Sequence, residues 1–194
     1  MKEIARGAEA VLYQDKETVV KHRLKKTYRI KELDDELRKQ RTRREANLLE
    51  KLSIPHPGLV ETDEKEKIVM QRIKGDKLRE VLDKKPILAK RVGELVAEMH
   101  NNHIIHGDLT TSNIIYNEKK EIVFIDFGLS FQSHKIEDKA VDIHLFKQAL
   151  NSKHHKVYEK ALKEFLKGYK KADNYKGILE RLKNVESRGR YKKE

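Results

Sequence analysis

The sequence contains no cysteine. Disulfides, thiolate metal sites and cysteine nucleophiles are therefore excluded, and any chemistry must rest on oxygen and nitrogen groups. No stretch approaches the roughly 20 apolar residues that a membrane span needs. The opening Met1-Lys2-Glu3-Ile4-Ala5-Arg6 also lacks the apolar core of a signal peptide. These absences lead us to expect a soluble, cytoplasmic protein without membrane contact. Internal repeats and low-complexity linkers are missing as well. What is present is charge: 39% of the 194 residues are charged against 37% hydrophobic, and the net charge is +12. Recurrent apolar runs argue for a folded chain with a charged surface. The length suits one domain or two small lobes. The basic excess favours an anionic partner such as nucleic acid or a phosphorylated ligand.

The most informative stretch is His106-Gly107-Asp108-Leu109-Thr110-Thr111-Ser112-Asn113, with Asp126-Phe127-Gly128 beginning thirteen residues past the Asn. Asp108 can orient or deprotonate a hydroxyl, and Asn113 and Asp126 offer the hard oxygen ligands that Mg²⁺ takes. This order and spacing is the layout of a protein-kinase-style phosphoryl-transfer site, in which a catalytic loop precedes Asp-Phe-Gly. Either motif alone is a weak signal, since turns favour Asp, Asn and Gly. Together they are strong.

Upstream elements come in the matching order. Residues 3–13 read as two strands around a tight turn, Gly7-Ala8-Glu9-Ala10, whose small residues would let backbone amides approach phosphate. Thr18-Val19-Val20-Lys21-His22-Arg23 is a third strand, and its Lys21 is the candidate for the α- and β-phosphates of ATP. From Lys31 to about Ser53 the pattern is helical, but the apolar positions do not form one stripe, which leaves room for a break near Gln40. Glu45 is the preferred carboxylate partner for Lys21, with Glu36 and Glu50 as competitors. Two further strands, Leu59-Val60-Glu61-Thr62 and Lys67-Ile68-Val69-Met70, lead into an extended linker, Gln71-Arg72-Ile73-Lys74-Gly75. Met70, Gln71 and Ile73 are candidates for the adenine side of an ATP site. A short helix is expected over 76–83 and a longer one after Pro86. Ile104-Ile105 leads into the Asp108 loop. Asn113-Ile114-Ile115-Tyr116 and Ile122-Val123-Phe124-Ile125 read as two strands of a hairpin, which would bring Asp108 and Asp126 near each other. Helices follow over about 137–150, 154–171 and 174–186.

Several features depart from ordinary protein kinases. Gly107 replaces the usual Arg, Thr110-Thr111 replaces Lys-Pro, and no Ala-Pro-Glu follows Asp-Phe-Gly. A peptide-substrate platform and a phosphate-sensing activation segment are therefore not expected. The combination resembles the small atypical serine/threonine kinase subunit of the KEOPS complex, the Bud32 family. The resemblance covers essentially the whole chain. It is carried most specifically by Gly7-Ala8-Glu9-Ala10, Val20-Lys21-His22-Arg23, Arg41-Thr42-Arg43-Arg44-Glu45-Ala46, the 106–113 and 125–130 stretches, Glu137-Asp138-Lys139-Ala140-Val141-Asp142 and the basic Ser187-Arg188-Gly189-Arg190.

The resemblance implies an α+β fold of the minimal two-lobed protein-kinase type. Its N-lobe, 1–73, would hold a five-stranded sheet and one long helix, and its C-lobe, 74–194, would be mainly helical. It also implies an ATP- and Mg²⁺-dependent kinase with ATPase and self-phosphorylating activity. Such a subunit serves tRNA threonylcarbamoyladenosine modification beside the threonylcarbamoyl-transferase subunit, met through the C-lobe, and other KEOPS subunits. tRNA would meet basic patches at 21–31, 38–44 and the tail 188–193, and Asp142 would brace the catalytic loop. The rival readings are a RIO-type kinase, a small-molecule phosphotransferase and a pseudokinase scaffold. The intact Asp-Phe-Gly and the turn at 7–10 speak against the first. The short chain speaks against the second, and the complete set of Lys21, Asp108, Asn113 and Asp126 against the third.

Overall fold

The computed structural model describes residues 1–7 and 9–190. Ala8 and the end of the basic tail, Tyr191 to Glu194, lie outside the described residues, as do the side chains of Gly189 and Arg190. The chain forms two compact units, 1–52 with 56–74, and 53–55 with 75–194.

The first unit is an antiparallel sheet and one helix. Strands β1 (Lys2–Arg6), β2 (Val11–Gln14) and β3 (Thr18–His22) precede helix α1 (Lys31–Leu49), and β4 (Leu59–Thr62) and β5 (Lys67–Gln71) follow it. The order across the sheet is β1-β2-β3-β5-β4. Helix α1 runs through Gln40 without a break. The sequence shows no continuous apolar stripe because the buried face is partly polar: Asp34, Thr42 and Glu45 are buried along with Ala46, Leu48 and Leu49. A buried carboxylate is tolerated only when it is paired, and here Arg38 Nε donates to Asp34 Oδ2 at 2.9 Å. A binary apolar pattern misreads such a helix because ion-paired carboxylates occupy positions it expects to be hydrophobic.

The second unit holds most of the apolar core. Strand β6 (Gly75–Lys77) is followed by α2 (Leu78–Val81), α3 (Leu88–Asn101) and the two-residue β7 (Ile104–Ile105). After the catalytic-loop stretch come β8 (Ile114–Asn117), β9 (Ile122–Phe124) and β10 (Phe131–Gln132). Helices α4 (Ile136–Lys153), α5 (Tyr158–Tyr169) and α6 (Tyr175–Arg190) complete the unit. Asp76 and Lys77, expected in a helix, pair instead with Tyr116 and Ile115 of β8, so α2 is a single turn. The helix expected from 154 begins at Tyr158, because His154 is buried and starts a 3-10 turn. Helices α3 and α5 approach closely where each carries a glycine. A Cβ on Gly93 would stand 2.1 Å from the Phe165 carbonyl oxygen, and one on Gly168 2.0 Å from that of Lys90. Around this crossing Val92, Leu95, Val96, Met99, Phe146, Phe165 and Tyr169 are almost wholly excluded from solvent. Burial at about 25 cal/mol per Å² makes this cluster the main apolar support of the unit. Among the described residues no helix is long and apolar enough to cross a membrane.

Candidate functional site: a phosphate-side set and a catalytic-loop set

The candidate residues fall into both units, and each set has its own geometry. In the first unit, Lys21 lies on β3 opposite Leu12 on one side and Ile68 on the other. Its Nζ donates to Glu45 Oε1 at 2.8 Å. The competing Glu36 and Glu50 are exposed. Glu45 has a second cationic partner that sequence reasoning did not assign. Arg23, two residues beyond Lys21 and on the same face, donates from Nη2 to Glu45 Oε2, and its Nη1 lies 3.4 Å from Thr42 Oγ1. Lys21, Arg23 and Glu45 are all buried.

The Gly7–Ala10 turn joins β1 to β2, and the Gly7 amide donates to the Ala10 carbonyl at 2.9 Å. Glu9 accepts from Arg29 and Arg41. Met70 is half-buried on β5 opposite Val19. The Gln71 amide donates to Gly58 and the Arg72 amide to Glu17, at 2.8 and 2.9 Å, while Ile73 follows in the extended segment.

In the second unit, two strand pairings define the loop geometry. The Asp108 loop runs from β7 to β8 and the Asp126 loop from β9 to β10. Strand β7 pairs with β10, and β8 pairs with β9. Both loops are thus pinned to each other at both ends, and the Ile125 amide donates to the Asn113 carbonyl at 2.9 Å. Asn113 Nδ2 donates to Asp108 Oδ2 at 2.8 Å and to the Asp108 carbonyl at 3.0 Å. With both amide protons directed into the loop, Asn113 Oδ1 is the atom left to face a ligand. Asp126 is exposed with φ +63°, a left-handed conformation that L residues adopt at a cost of about 1–2 kcal/mol. Gly107 also has positive φ, +79°, and a Cβ there would lie 2.4 Å from the Leu129 carbonyl oxygen. The Arg of ordinary protein kinases does not fit this backbone, so Gly107 is a steric requirement of this loop.

A buried polar framework supports the loop. Asp142 of α4 accepts from the His106 amide at 2.7 Å and the Gly107 amide at 2.9 Å. It also contacts His100 Nε2 at 3.2 Å, and His100 Nδ1 meets the Tyr169 hydroxyl at 2.7 Å. Burial, and secondarily the Asp142 charge, push the Tyr169 phenol above its ordinary pKa, so it is a protonated donor. His106 is fully buried, its Nδ1 accepts from the Asp108 amide at 3.3 Å, and its ring lies 5.0 Å from that of Phe127. Burial lowers the His106 pKa even though Asp142, Asp126 and Asp108 oppose the shift, and this keeps the ring neutral. His154, a buried histidine that sequence reasoning passed over, contacts Asp83 Oδ1 at 2.6 Å and Thr111 Oγ1 at 3.1 Å. Its only sequence signal is an adjacent His155 and the end of an apolar pattern, which does not separate it from a surface residue.

Among the described residues no group of three or more His, Asp or Glu side chains is placed to hold a metal ion. Asn113 and Asp126 offer hard oxygen donors, the kind taken by an ion that keeps several waters and is completed by phosphates, as Mg²⁺ commonly is.

A protein kinase domain matches residues 1–145. The KEOPS complex subunit Bud32 of Pyrococcus abyssi is 41% identical over 99% of this chain and 97% of its own length. A probable serine/threonine-protein kinase BUD32 homolog of Archaeoglobus fulgidus is 37% identical over 95% of this chain and 94% of its own length. A probable bifunctional tRNA threonylcarbamoyladenosine biosynthesis protein of Methanocaldococcus jannaschii is 41% identical, and the match covers 97% of this chain but 36% of that protein. With a kinase domain over most of its length and relatives of this identity matched nearly end to end, the chain belongs to the Bud32 family of protein-kinase-fold KEOPS complex subunits.

Proposed function

We propose that the chain is an ATP- and Mg²⁺-dependent phosphotransferase and ATPase that works as a subunit of a tRNA-modifying KEOPS assembly. The observation that carries the reading is the Asn113–Asp108 contact, on a loop pinned strand by strand to the one bearing Asp126. It fixes the Asp108 carboxylate at one oxygen and leaves the other to accept a hydrogen bond from an attacking hydroxyl or water. Asn113 Oδ1 and Asp126 would hold Mg²⁺, which when bound with ATP neutralises phosphate charge. Lys21, steadied by Glu45, would hold the α- and β-phosphates. Gly7, Ala8, Glu9 and Ala10 would cover the phosphates, with the Gly7 amide already used inside its turn. Met70, Gln71 and Ile73 would border adenine, and Ile73 offers the amide because those of Gln71 and Arg72 are engaged.

The names of the relatives support the assembly and the tRNA context. Of the basic clusters, that on α1 is largely neutralised: Arg38 is held by Asp34, Asp35 and Glu66, Arg41 by Glu9 and Arg43 by Glu64. Lys160, Lys163 and Lys170 line a groove of about 720 Å³ along α5. These three make no ion pair among the described residues, and they are the better candidates for RNA phosphates beside the basic tail.

The test is ATP hydrolysis and phosphoryl transfer, with and without the transferase subunit and tRNA, for the wild type, Asp108→Ala and Asp126→Ala. Wild-type turnover that both variants lose is the expected result. Equal rates for all three under every condition would leave a scaffold rather than an enzyme.

A further inference from the structure

Asp142 of α4 holds one end of the Asp108 loop through the His106 and Gly107 amides. The other end is held from the same helix. His154 follows directly on α4, and its Nε2 lies 3.1 Å from Thr111 Oγ1, inside the loop. Its Nδ1 lies 2.6 Å from Oδ1 of Asp83, just past α2. An ionised carboxylate can only accept, so the Asp83 contact places a proton on Nδ1. In the neutral ring this leaves the Nε2 lone pair to accept from the Thr111 hydroxyl, because the bond made by one ring nitrogen sets the role of the other. Carboxylate, imidazole and hydroxyl in this order activate a nucleophile in hydrolases. Thr111 is only 1% exposed, out of reach of a substrate, so here the same order serves to hold a side chain. What it holds is the turn that carries Asn113. Thr111 opens the 3-10 turn Thr111–Asn113, in which the Asn113 amide donates to the Thr110 carbonyl at 3.1 Å. Asn113 Nδ2 in turn fixes the Asp108 carboxylate and carbonyl. A displacement of Thr111 therefore reaches both groups on which the loop's chemistry depends.

We propose that His154, oriented by Asp83, is a positioning residue: by accepting the Thr111 hydroxyl it fixes the Thr111–Asn113 turn, and with it the aim of Asn113 and Asp108. Helix α4 then sets both ends of the loop, and the Asp108 carboxylate has one position before any nucleotide arrives. This inference rests on the phosphotransferase reading for its kinetic part only.

The experiment compares the wild type with Thr111→Val, Thr111→Ser and Asp83→Ala. It reads ¹⁵N spectra of the histidine rings at pH 8 without nucleotide, with the His154 ring assigned from His154→Gln. It also reads hydrogen exchange of the Asn113 amide, and kcat and KM for ATP with Mg²⁺. The wild-type His154 ring should carry its proton on Nδ1 and none on Nε2. In Asp83→Ala the proton should move to Nε2, and kcat should fall about threefold as the loop loses its aim. Thr111→Val keeps the branched shape and loses the hydroxyl. Its kcat should fall about tenfold with the KM for ATP nearly unchanged, because what is lost is realised in the transition state. Its Asn113 amide should also exchange faster. Thr111→Ser keeps the hydroxyl and loses the methyl, so it should retain most of the kcat. Packing alone predicts the reverse order, valine above serine, and that order overturns the proposal. So does a wild-type His154 with a proton on Nε2, or a Thr111→Val with wild-type kcat and exchange. If Thr111→Val does not fold, Asp83→Ala decides, since Asp83 is 53% exposed: an unmoved ring proton or an unmoved kcat overturns the proposal. If the wild type itself does not turn over ATP, the phosphotransferase reading falls. The ring spectra and the Asn113 exchange then still confirm or refute the hold on the loop.

Discussion

The two units secure their functional side chains by opposite means. In the first, charge does the holding: Glu45 lies between Lys21 and Arg23, Asp34 against Arg38, and the outer face of α1 is a mesh of Arg–carboxylate pairs. In the second, a buried carboxylate that accepts backbone amides, buried histidines and packing do it. Asp142 accepts loop amides, His100 ties α3 to Asp142 and Tyr169, His154 reaches Thr111 of the loop, and aromatic rings fill the core beneath. A charge-held site can respond to an anionic ligand, whereas a loop fixed by backbone amides keeps one shape. The difference matches what each set is proposed to do, gripping phosphate on one side and aiming a carboxylate on the other.

The largest expected effect separates chemistry from stability within the second unit. Asp126→Gly should abolish phosphoryl transfer, by about a thousandfold or more, because the proposed Mg²⁺ ligand is lost. The same change removes the cost of a left-handed φ, about 1 kcal/mol, together with the carboxylate's own contacts, so the melting temperature reports the balance of the two. Kinetics and thermal melts on the same sample check both. A drop in stability would show that Asp126 is held by its surroundings and is not strained by them.

Next come two substitutions that attack each means of support. Glu45→Gln removes the buried carboxylate that Lys21 and Arg23 share and should cost the first unit about 3–5 kcal/mol. Lys21→Met leaves a neutral Arg23–Glu45 pair and should cost far less. In the second unit, Gly168→Ala drives a methyl into the Lys90 carbonyl and should cost about 3 kcal/mol through forced separation of α3 and α5. Denaturant titration read by hydrogen exchange in each unit checks the assignment. If Glu45→Gln and Lys21→Met cost the same, the charge account of the first unit is wrong.

These expectations also mark what was legible in the sequence. The loop motifs, Lys21 and the five-strand pattern could be read because the chemistry demands particular residues at particular offsets. The hairpin at 114–124 was legible, but β10 was not, since two residues carry no periodicity, and it is the β7–β10 pair that closes the loops together. Helix α1 looked broken because its buried face includes Asp34, Thr42 and Glu45. Arg23 and His154 were invisible as supporting residues: nothing in a linear sequence shows that a second cation shares a glutamate, or that a histidine after a helix turns inward. Gly107 was seen as a departure from a motif, and its reason, the Leu129 carbonyl, is purely tertiary.

Acid should separate the units further. In the second, burial first, then the neighbouring charges of His134 and Lys139, lower the His103 pKa, and burial lowers that of His106. With folded pKa values below the ordinary 6.5, the unfolded chain takes up protons first as pH falls. Stability from these groups is whole above about pH 6.5 and declines below it. In the first unit, desolvation opposes ionisation of Asp34, but its bonds to Arg38 and the Lys26 amide and the charges of Arg38 and Arg29 win, and its pKa lies below 3.8. That contribution is present above pH 3.8 and is lost only as pH falls through the folded value. Hydrogen exchange at pH 7 and pH 5.5, corrected for intrinsic rate, should therefore show the second unit weakening while the first holds. Simultaneous weakening would mean that the histidines do not govern the acid response.

The smallest effect tests how far the charge account of the first unit extends. Arg43 and Glu64 meet at 3.1 Å with both side chains about half exposed or more, at 49% and 60%. Such a pair gains little Coulomb energy in water, loses side-chain freedom and is screened by salt, so it contributes about 0–1 kcal/mol. Arg43→Ala should accordingly shift the denaturation midpoint slightly at low salt and not at all in 0.5 M NaCl, where the Debye length falls to about 4 Å. Glu45→Gln should keep its full cost at both salt concentrations, because its partners are buried. A large, salt-sensitive loss in Arg43→Ala would mean that the arginines of α1 act as one network and that neutralising them at the surface, for instance on a polyanion, loosens the helix that carries Glu45.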